Sequence, residues 1–174
     1  MRLEQNNSVW SRQIASLLEQ LAATIERLGD DEYTVQRARE VSGSIGSHVR
    51  HCLDHISALV AGLESGRIRY DARLRGTAVE TSRQAGIDAI ARLLVSLEAV
   101  PQAALERDVH VLVRTSVDGP EVRVRSTVAR ELTFVASHTV HHFAIVALLL
   151  RDMGVAVPQR FGYAPSTPSP ELAA

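Results

Sequence analysis

The sequence predicts an all-α protein, a four-helix bundle with one β-hairpin inserted between the third and fourth helices. Three observations carry this. Four segments of roughly 20 residues each repeat apolar side chains at three- and four-residue steps, the pattern of an amphipathic helix. Between Asp108 and Thr127 the period changes to two, on either side of the turn-forming Val117-Asp118-Gly119-Pro120. A chain of 174 residues, 45% of them hydrophobic, can build one substantial core and is too short for two. Helices of this kind must bury their stripes against one another, and a bundle is the usual solution.

The first helix carries Trp10, Ile14, Leu17, Leu18, Leu21, Ile25 and Leu28 on one stripe. Asn7 or Ser8 can cap its free amides, and Gly29, followed by Asp30 and Asp31, ends it. The second begins near Ser42 to Ser44, carries Ile45, Val49, Cys52, Ile56, Leu59, Val60 and Leu63, and ends in the Gly66 region. The run from Arg67 to Gly76, with Arg67, Arg69, Tyr70, Asp71, Arg73 and Arg75, reads as a solvated, salt-bridged connection. The third helix carries Val79, Ile87, Ile90, Leu93, Leu94, Leu97 and Val100 up to Pro101. After the hairpin, Val128, Leu132, Val135, Thr139, His142, Val146 and Leu149 form the fourth stripe, which closes at Gly154 with Pro158 beyond. Residues 1–157 are therefore expected to form the bundle. Residues 158–174, with Pro165, Pro168 and Pro170, form an extended tail packed on its surface.

Composition narrows the function. The 19 basic and 20 acidic residues are mixed along the chain, so no footprint for a polyanion exists and nucleic acid is not an expected partner. The single cysteine, Cys52, cannot form an intramolecular disulfide, and its place in an apolar stripe makes it a packing residue. The first residues lack the basic start and apolar run of a signal peptide, so a cytoplasmic location is expected. The apolar run from Phe143 to Leu150 is much shorter than the ~20 residues that cross a bilayer, so no membrane partner is expected.

Six of the seven histidines fall in two short windows, His48 to His55 on the second helix and His138 to His142 on the fourth. Residues four apart on a helix lie one above the other, so His138 and His142 can aim their imidazoles at one point. A third imidazole facing them from the second helix would complete a three-histidine metal site with open positions for water or substrate. His142 lies inside the apolar stripe, where an unpartnered imidazole is costly and a metal ion would compensate it. His141 points away by about 100° per residue, and His110 falls in the hairpin, away from both windows. Glu131, two turns before His138 on the same face, is the candidate catalytic base or ligand-orienting carboxylate. Asp54 can orient an imidazole or pair with Arg50.

The segments Ser44-Ile45-Gly46-Ser47-His48-Val49-Arg50-His51-Cys52-Leu53-Asp54-His55 and Ser137-His138-Thr139-Val140-His141-His142-Phe143-Ala144 together resemble the DinB superfamily. The resemblance covers most of the chain. It implies a four-helix bundle and one divalent ion, zinc or nickel first and iron or manganese next. The ligands it implies are His51, six residues after an Ile-Gly helix start, with His138 and His142 of HxxxH. An ideal helical wheel places His48 and His55 nearer the apolar stripe than His51, so these two stay open as alternatives. The chain departs from many relatives after HxxxH, where Phe143, Ala144 and Ile145 replace a basic residue and Gly-Gln. The resemblance also implies a metal-dependent enzyme that activates a thiol or water for transfer or hydrolysis on a small-molecule substrate, a low-molecular-weight thiol among the candidates. The competing expectation is a non-catalytic metal-binding or stress-response module that forms a homodimer.

Overall fold

A computed structural model of the chain describes residues 9–36, 42–72 and 75–167. In them the chain forms four long helices, two short ones and a three-stranded sheet. The class is therefore mostly helical, as expected, with more β-structure than a hairpin.

Helix α1 (Val9–Ile25) buries Ile14, Leu18, Leu21 and Ile25. The caps proposed for it, Asn7 and Ser8, lie outside the described residues. The helix stops short of Gly29 because its last turn tightens: Leu28 N–H donates to the Ile25 carbonyl, an i to i−3 bond, while Leu28 itself stays buried. A short helix α2 (Asp30–Thr34) follows, with Asp30, Asp31 and Glu32 at its positive N-terminal end and the Glu32 carboxylate accepting from Gly29 N–H at 2.7 Å. The apolar pattern, which ends the first helix at Gly29, gave no sign of this second short helix. Its structural role is to insert Tyr33, which is fully buried and donates its hydroxyl to the Val79 carbonyl at 2.7 Å. Two glycines make the slot. A Cβ on Gly46 would stand 2.8 Å from the Tyr33 ring and 2.2 Å from the Glu80 carbonyl oxygen, and one on Gly86 would stand 2.7 Å from the Tyr33 hydroxyl.

Helix α3 (Ile45–Ser65) starts where Ser44 Oγ accepts from Ser47 N–H and ends at Gly66, whose φ of 66° is the left-handed conformation glycine tolerates. Strand β1 (Arg67–Arg69) follows at once and pairs in parallel with β2 (Asp108–Arg114), which pairs antiparallel with β3 (Glu121–Thr127). The arginine-rich connection is thus partly a strand rather than a solvated link. The reason is Ile68, fully buried between outward-facing Arg67 and Arg69 and packed over Gly62, where a Cβ would come within 2.6 Å of it. Arg73 lies outside the described residues.

The third expected helix divides into α4 (Ala78–Thr81) and α5 (Arg83–Glu98). Ser82 takes an extended conformation and its hydroxyl accepts from Ala85 N–H, so a serine within the apolar pattern starts a new helix. Helix α6 (Val128–Asp152) grows directly from β3, with Thr127 Oγ1 capping Arg130 N–H. It packs against α1 and α3, and α5 packs against the same two. By length and composition α6 could cross a membrane, but Leu132, Val135, Phe143, Val146 and Leu150 are buried within the protein. In the tail, Phe161 stacks on Phe143 with ring centroids 4.5 Å apart, and Gly162 lies against the backbone of Ala144. Pro168 and Pro170 lie outside the described residues. Cys52 is buried in the core, and burial pushes its thiol up to about 12.

Gly46→Ala is expected to lower stability by about 1–3 kcal/mol, because the new methyl must displace backbone or the Tyr33 ring. Denaturant titration followed by circular dichroism checks this; an unchanged midpoint would show that the slot is not needed.

Candidate metal centre

Helices α3 and α6 pack side by side, and each brings histidines to their shared face. From α3 come His48, His51 and His55, spaced three and four apart; from α6 come His138 and His142, four apart. Five imidazoles therefore meet in one cluster. His51 is central: its ring centroid lies 4.4 Å from that of His142, 4.5 Å from His55 and 4.9 Å from His138. The expected ligands His51, His138 and His142 are thus all in mutual ring contact, with His138 and His142 at 4.6 Å. The three residues whose candidate ligand nitrogens all lie within 4.8 Å of one another are His51, His55 and His138. His51 and His138 belong to both sets.

The hydrogen bonds explain the difference. His55 Nδ1 lies 3.0 Å from the His51 carbonyl oxygen, so it carries the proton and leaves Nε2 as the lone-pair nitrogen. His51 Nε2 and His138 Nε2 stand 2.9 Å apart, and His48 Nδ1 and His142 Nδ1 3.0 Å apart. In each pair one nitrogen donates and the other accepts, so neither pair can hold both rings fully protonated. Burial pushes His142 down to about 3, with His138, His48, His141 and His55 adding to the shift; burial also lowers His48. Neutral imidazoles are the donor set that a divalent transition ion requires.

Around the cluster stand residues that the histidine pattern could not reveal. Tyr70 stacks on His55 with centroids 5.3 Å apart and planes 13° from parallel, and Phe134 stacks on His138 at 5.8 Å. Glu131 is fully buried, and both its oxygens are engaged: Oε2 accepts from the Tyr70 hydroxyl at 2.8 Å, and Oε1 from the Ser126 hydroxyl at 2.6 Å and Arg130 Nη1 at 2.8 Å. Its route to the histidines runs through Tyr70. Burial and the Glu131 charge hold the Tyr70 phenol well above the usual range, so it remains a donor. Asp54 takes the pairing role, accepting from Arg50, which also meets Glu80 of α4. His141 is exposed at the edge of the cluster, its ring centroid 5.3 Å from that of His142, and His110 lies in β2. The signals for Phe134 and Tyr70 were present but ambiguous: Phe134 lies one turn before His138, and Tyr70 is the one aromatic in an arginine-rich run.

The depressed His142 value sets a pH dependence. Between about 6.5 and about 3 the unfolded chain binds a proton that folded His142 refuses, so the metal-free protein loses stability as pH falls through that window. His142→Gln is expected to flatten this part of the curve. Melting temperature against pH in the presence of a chelator checks it; identical slopes for the two proteins would remove His142 as the cause.

Comparison with known proteins agrees with the geometry. Residues 13–146 match the family model described as the DinB superfamily. Among solved structures, a DinB-like protein from Bacillus subtilis superposes with a TM-score of 0.62 at 16% identity, covering 86% of this chain and 95% of the other. A DinB-like protein from Bacillus cereus ATCC 10987 gives 0.59 at 14% identity, covering 88% and 97%. Among curated proteins, FK506-binding protein 5 of Rhizopus delemar is 30% identical over 103 residues, 58% of this chain. The chain spans about a quarter, 26%, of that relative's length. With most of its length matched by the family model, the chain belongs to the DinB superfamily.

Proposed function

We propose that the histidine cluster is a divalent metal site of an enzyme that activates a thiol or a water molecule against a small-molecule substrate. The observation that supports this best is the convergence of His51, His55 and His138 nitrogens from two packed helices, with His55 held in one tautomer by the His51 carbonyl. His51 and His138 are the two ligands on which every arrangement depends, and His55 is the third. A second reading gives the third place to His142, and its ring contacts with both His51 and His138 favour it. When bound to three neutral imidazoles with positions to spare, such an ion supplies a Lewis acid that lowers the pKa of a coordinated water or thiol. Zinc and nickel suit this donor set first, iron and manganese next.

The remaining residues hold the imidazoles. Tyr70 and Phe134 fix the rings of His55 and His138 by stacking, and Glu131 keeps Tyr70 in place by accepting its hydroxyl proton. Glu131 is thereby a positioning residue in this scheme, since its three donors leave it poorly suited to take a proton from substrate. His48 backs His142 through the Nδ1 pair. A non-catalytic module that holds metal and dimerises is the alternative outcome.

Protein purified without an affinity tag is expected to carry about one divalent ion per chain by elemental analysis. His51→Ala and His138→Ala should each lose it. His55→Ala should weaken binding more than His142→Ala, and the reverse order would establish the second ligand set. Retention of stoichiometric metal in both His51→Ala and His138→Ala would sink the site. The metal-loaded protein is then assayed with electrophiles and several low-molecular-weight thiols, and with ester and amide substrates; turnover lost in His138→Ala supports the enzyme, and silence at full occupancy transfers the case to the binding module.

A further inference from the structure

Beyond the aromatic residues that back the histidines lies a second cavity, of about 330 Å³, between the sheet and α6. Its floor is the bundle-facing side of the hairpin, where Val111 sits directly opposite Val124 in the β2–β3 register and Val113 lies two residues on. The side chain of Val124 points inward by this register and is still 48% exposed, so the protein does not fill the space above it. Tyr70 and Phe134 form the wall shared with the metal centre, 5.3 Å apart by ring centroid. The polar groups gather at one side: Arg130, Ser126 and the buried Glu131.

The charges at that side are unequal in reach. Glu131 is sealed from solvent with both oxygens occupied. The Arg130 guanidinium stands at the mouth, its side chain 64% exposed, whereas Arg125, next to Val124 in the strand, turns its side chain to the other face of the sheet. Arg130 gives Nη1 to Glu131 and Arg125 gives Nη2 to Asp108. A guanidinium has five N–H donors in a planar fork suited to a carboxylate. The Arg130 carbon also lies over the Phe134 ring at 5.2 Å, so its plane is held at the edge of the apolar wall. An apolar floor, two aromatic walls and a cationic rim select one kind of guest.

We infer that this cavity binds a small organic acid with an apolar body, its carboxylate on Arg130 and its body on Val111, Val124, Tyr70 and Phe134. Binding stands on the cavity alone; that such an acid is the substrate of the neighbouring centre rests on the metal-site reading. A guest lying on the Tyr70 and Phe134 rings is one aromatic layer from His55 and His138.

The test is calorimetric titration of the protein, metal-loaded and after chelation, with 3-phenylpropionate, its neutral amide and the corresponding amine. The carboxylate is expected to bind about tenfold more tightly than the amide, the gain of a charge-assisted contact, in both metal states. Arg130→Gln should erase that preference. Because Arg130→Gln also removes a partner of Glu131, Val124→Phe serves as the second variant: it fills the cavity from a half-exposed strand position and should abolish binding while leaving metal content unchanged. Equal affinity for acid and amide, preference for the amine, binding only in the metal-loaded state, or full binding in Val124→Phe would each overturn the assignment. Loss of metal in His51→Ala with acid binding retained would separate this site from the fate of the metal centre.

Discussion

The packing of α3 on α6 is the constraint on which the rest of the molecule depends. Each helix has an apolar stripe, and each interrupts it with imidazoles at one-turn spacing, so burying the stripes also buries the histidines. A buried imidazole cannot carry a charge cheaply, and neighbouring imidazoles raise that cost further. Burial holds His142 and His48 below the ordinary imidazole range, and two imidazoles can face one another as donor and acceptor, as His51 does with His138 and His48 with His142. The same property suits imidazoles to hold a metal ion. Desolvation by the core thus leaves a cluster of imidazoles that could hold a metal ion.

A buried carboxylate joins this interface to the sheet. Glu131 is in the first turn of α6, Ser126 is on β3 and Tyr70 follows β1, so the three hydrogen bonds to one side chain tie together the helix and both edge strands. A buried carboxylate stripped of a donor costs several times what a neutral hydrogen bond contributes, so the position of Tyr70 is strongly determined. Because Tyr70 stacks on His55, the sheet helps to set the orientation of an imidazole on a helix it is not part of. The hairpin is structurally part of the site's support.

How much of this was legible in the sequence follows from the range of the interactions concerned. The long helices were readable because a 3.6-residue period records burial along one face, and the hairpin because a two-residue period does the same. His138 and His142 could be paired because helical spacing is local, whereas His51 was named by the family resemblance, the helical wheel favouring His48 and His55. The division at Ser82 was hidden, since a capping serine and a helical surface serine look alike until the backbone is seen. Strand β1 was hidden for a related reason: one isoleucine between arginines is too short a pattern, and its partner β2 is distant in the chain. Tyr33 depends on Gly46 and Gly86, two glycines whose purpose appears only when three helices are assembled around the ring. His55 was kept as an alternative by the helical wheel, and its tautomer depends on a backbone carbonyl that no side-chain pattern records.

The aromatic pair Tyr70 and Phe134 divides two environments with opposite demands. On one side are polar nitrogens that need a dry setting to keep their lone pairs available; on the other are valines and the Arg130 guanidinium, open to solvent at one end. Rings suit this boundary, since they exclude water like aliphatic side chains and also stack flat against imidazoles on one side. Replacing either ring by an aliphatic residue would preserve the burial and lose the planar contact that fixes ring orientation. In this fold, then, the orientations of the His55 and His138 rings and the shape of the neighbouring cavity depend on the same two side chains. A change to one of them alters the geometry of both sites at once.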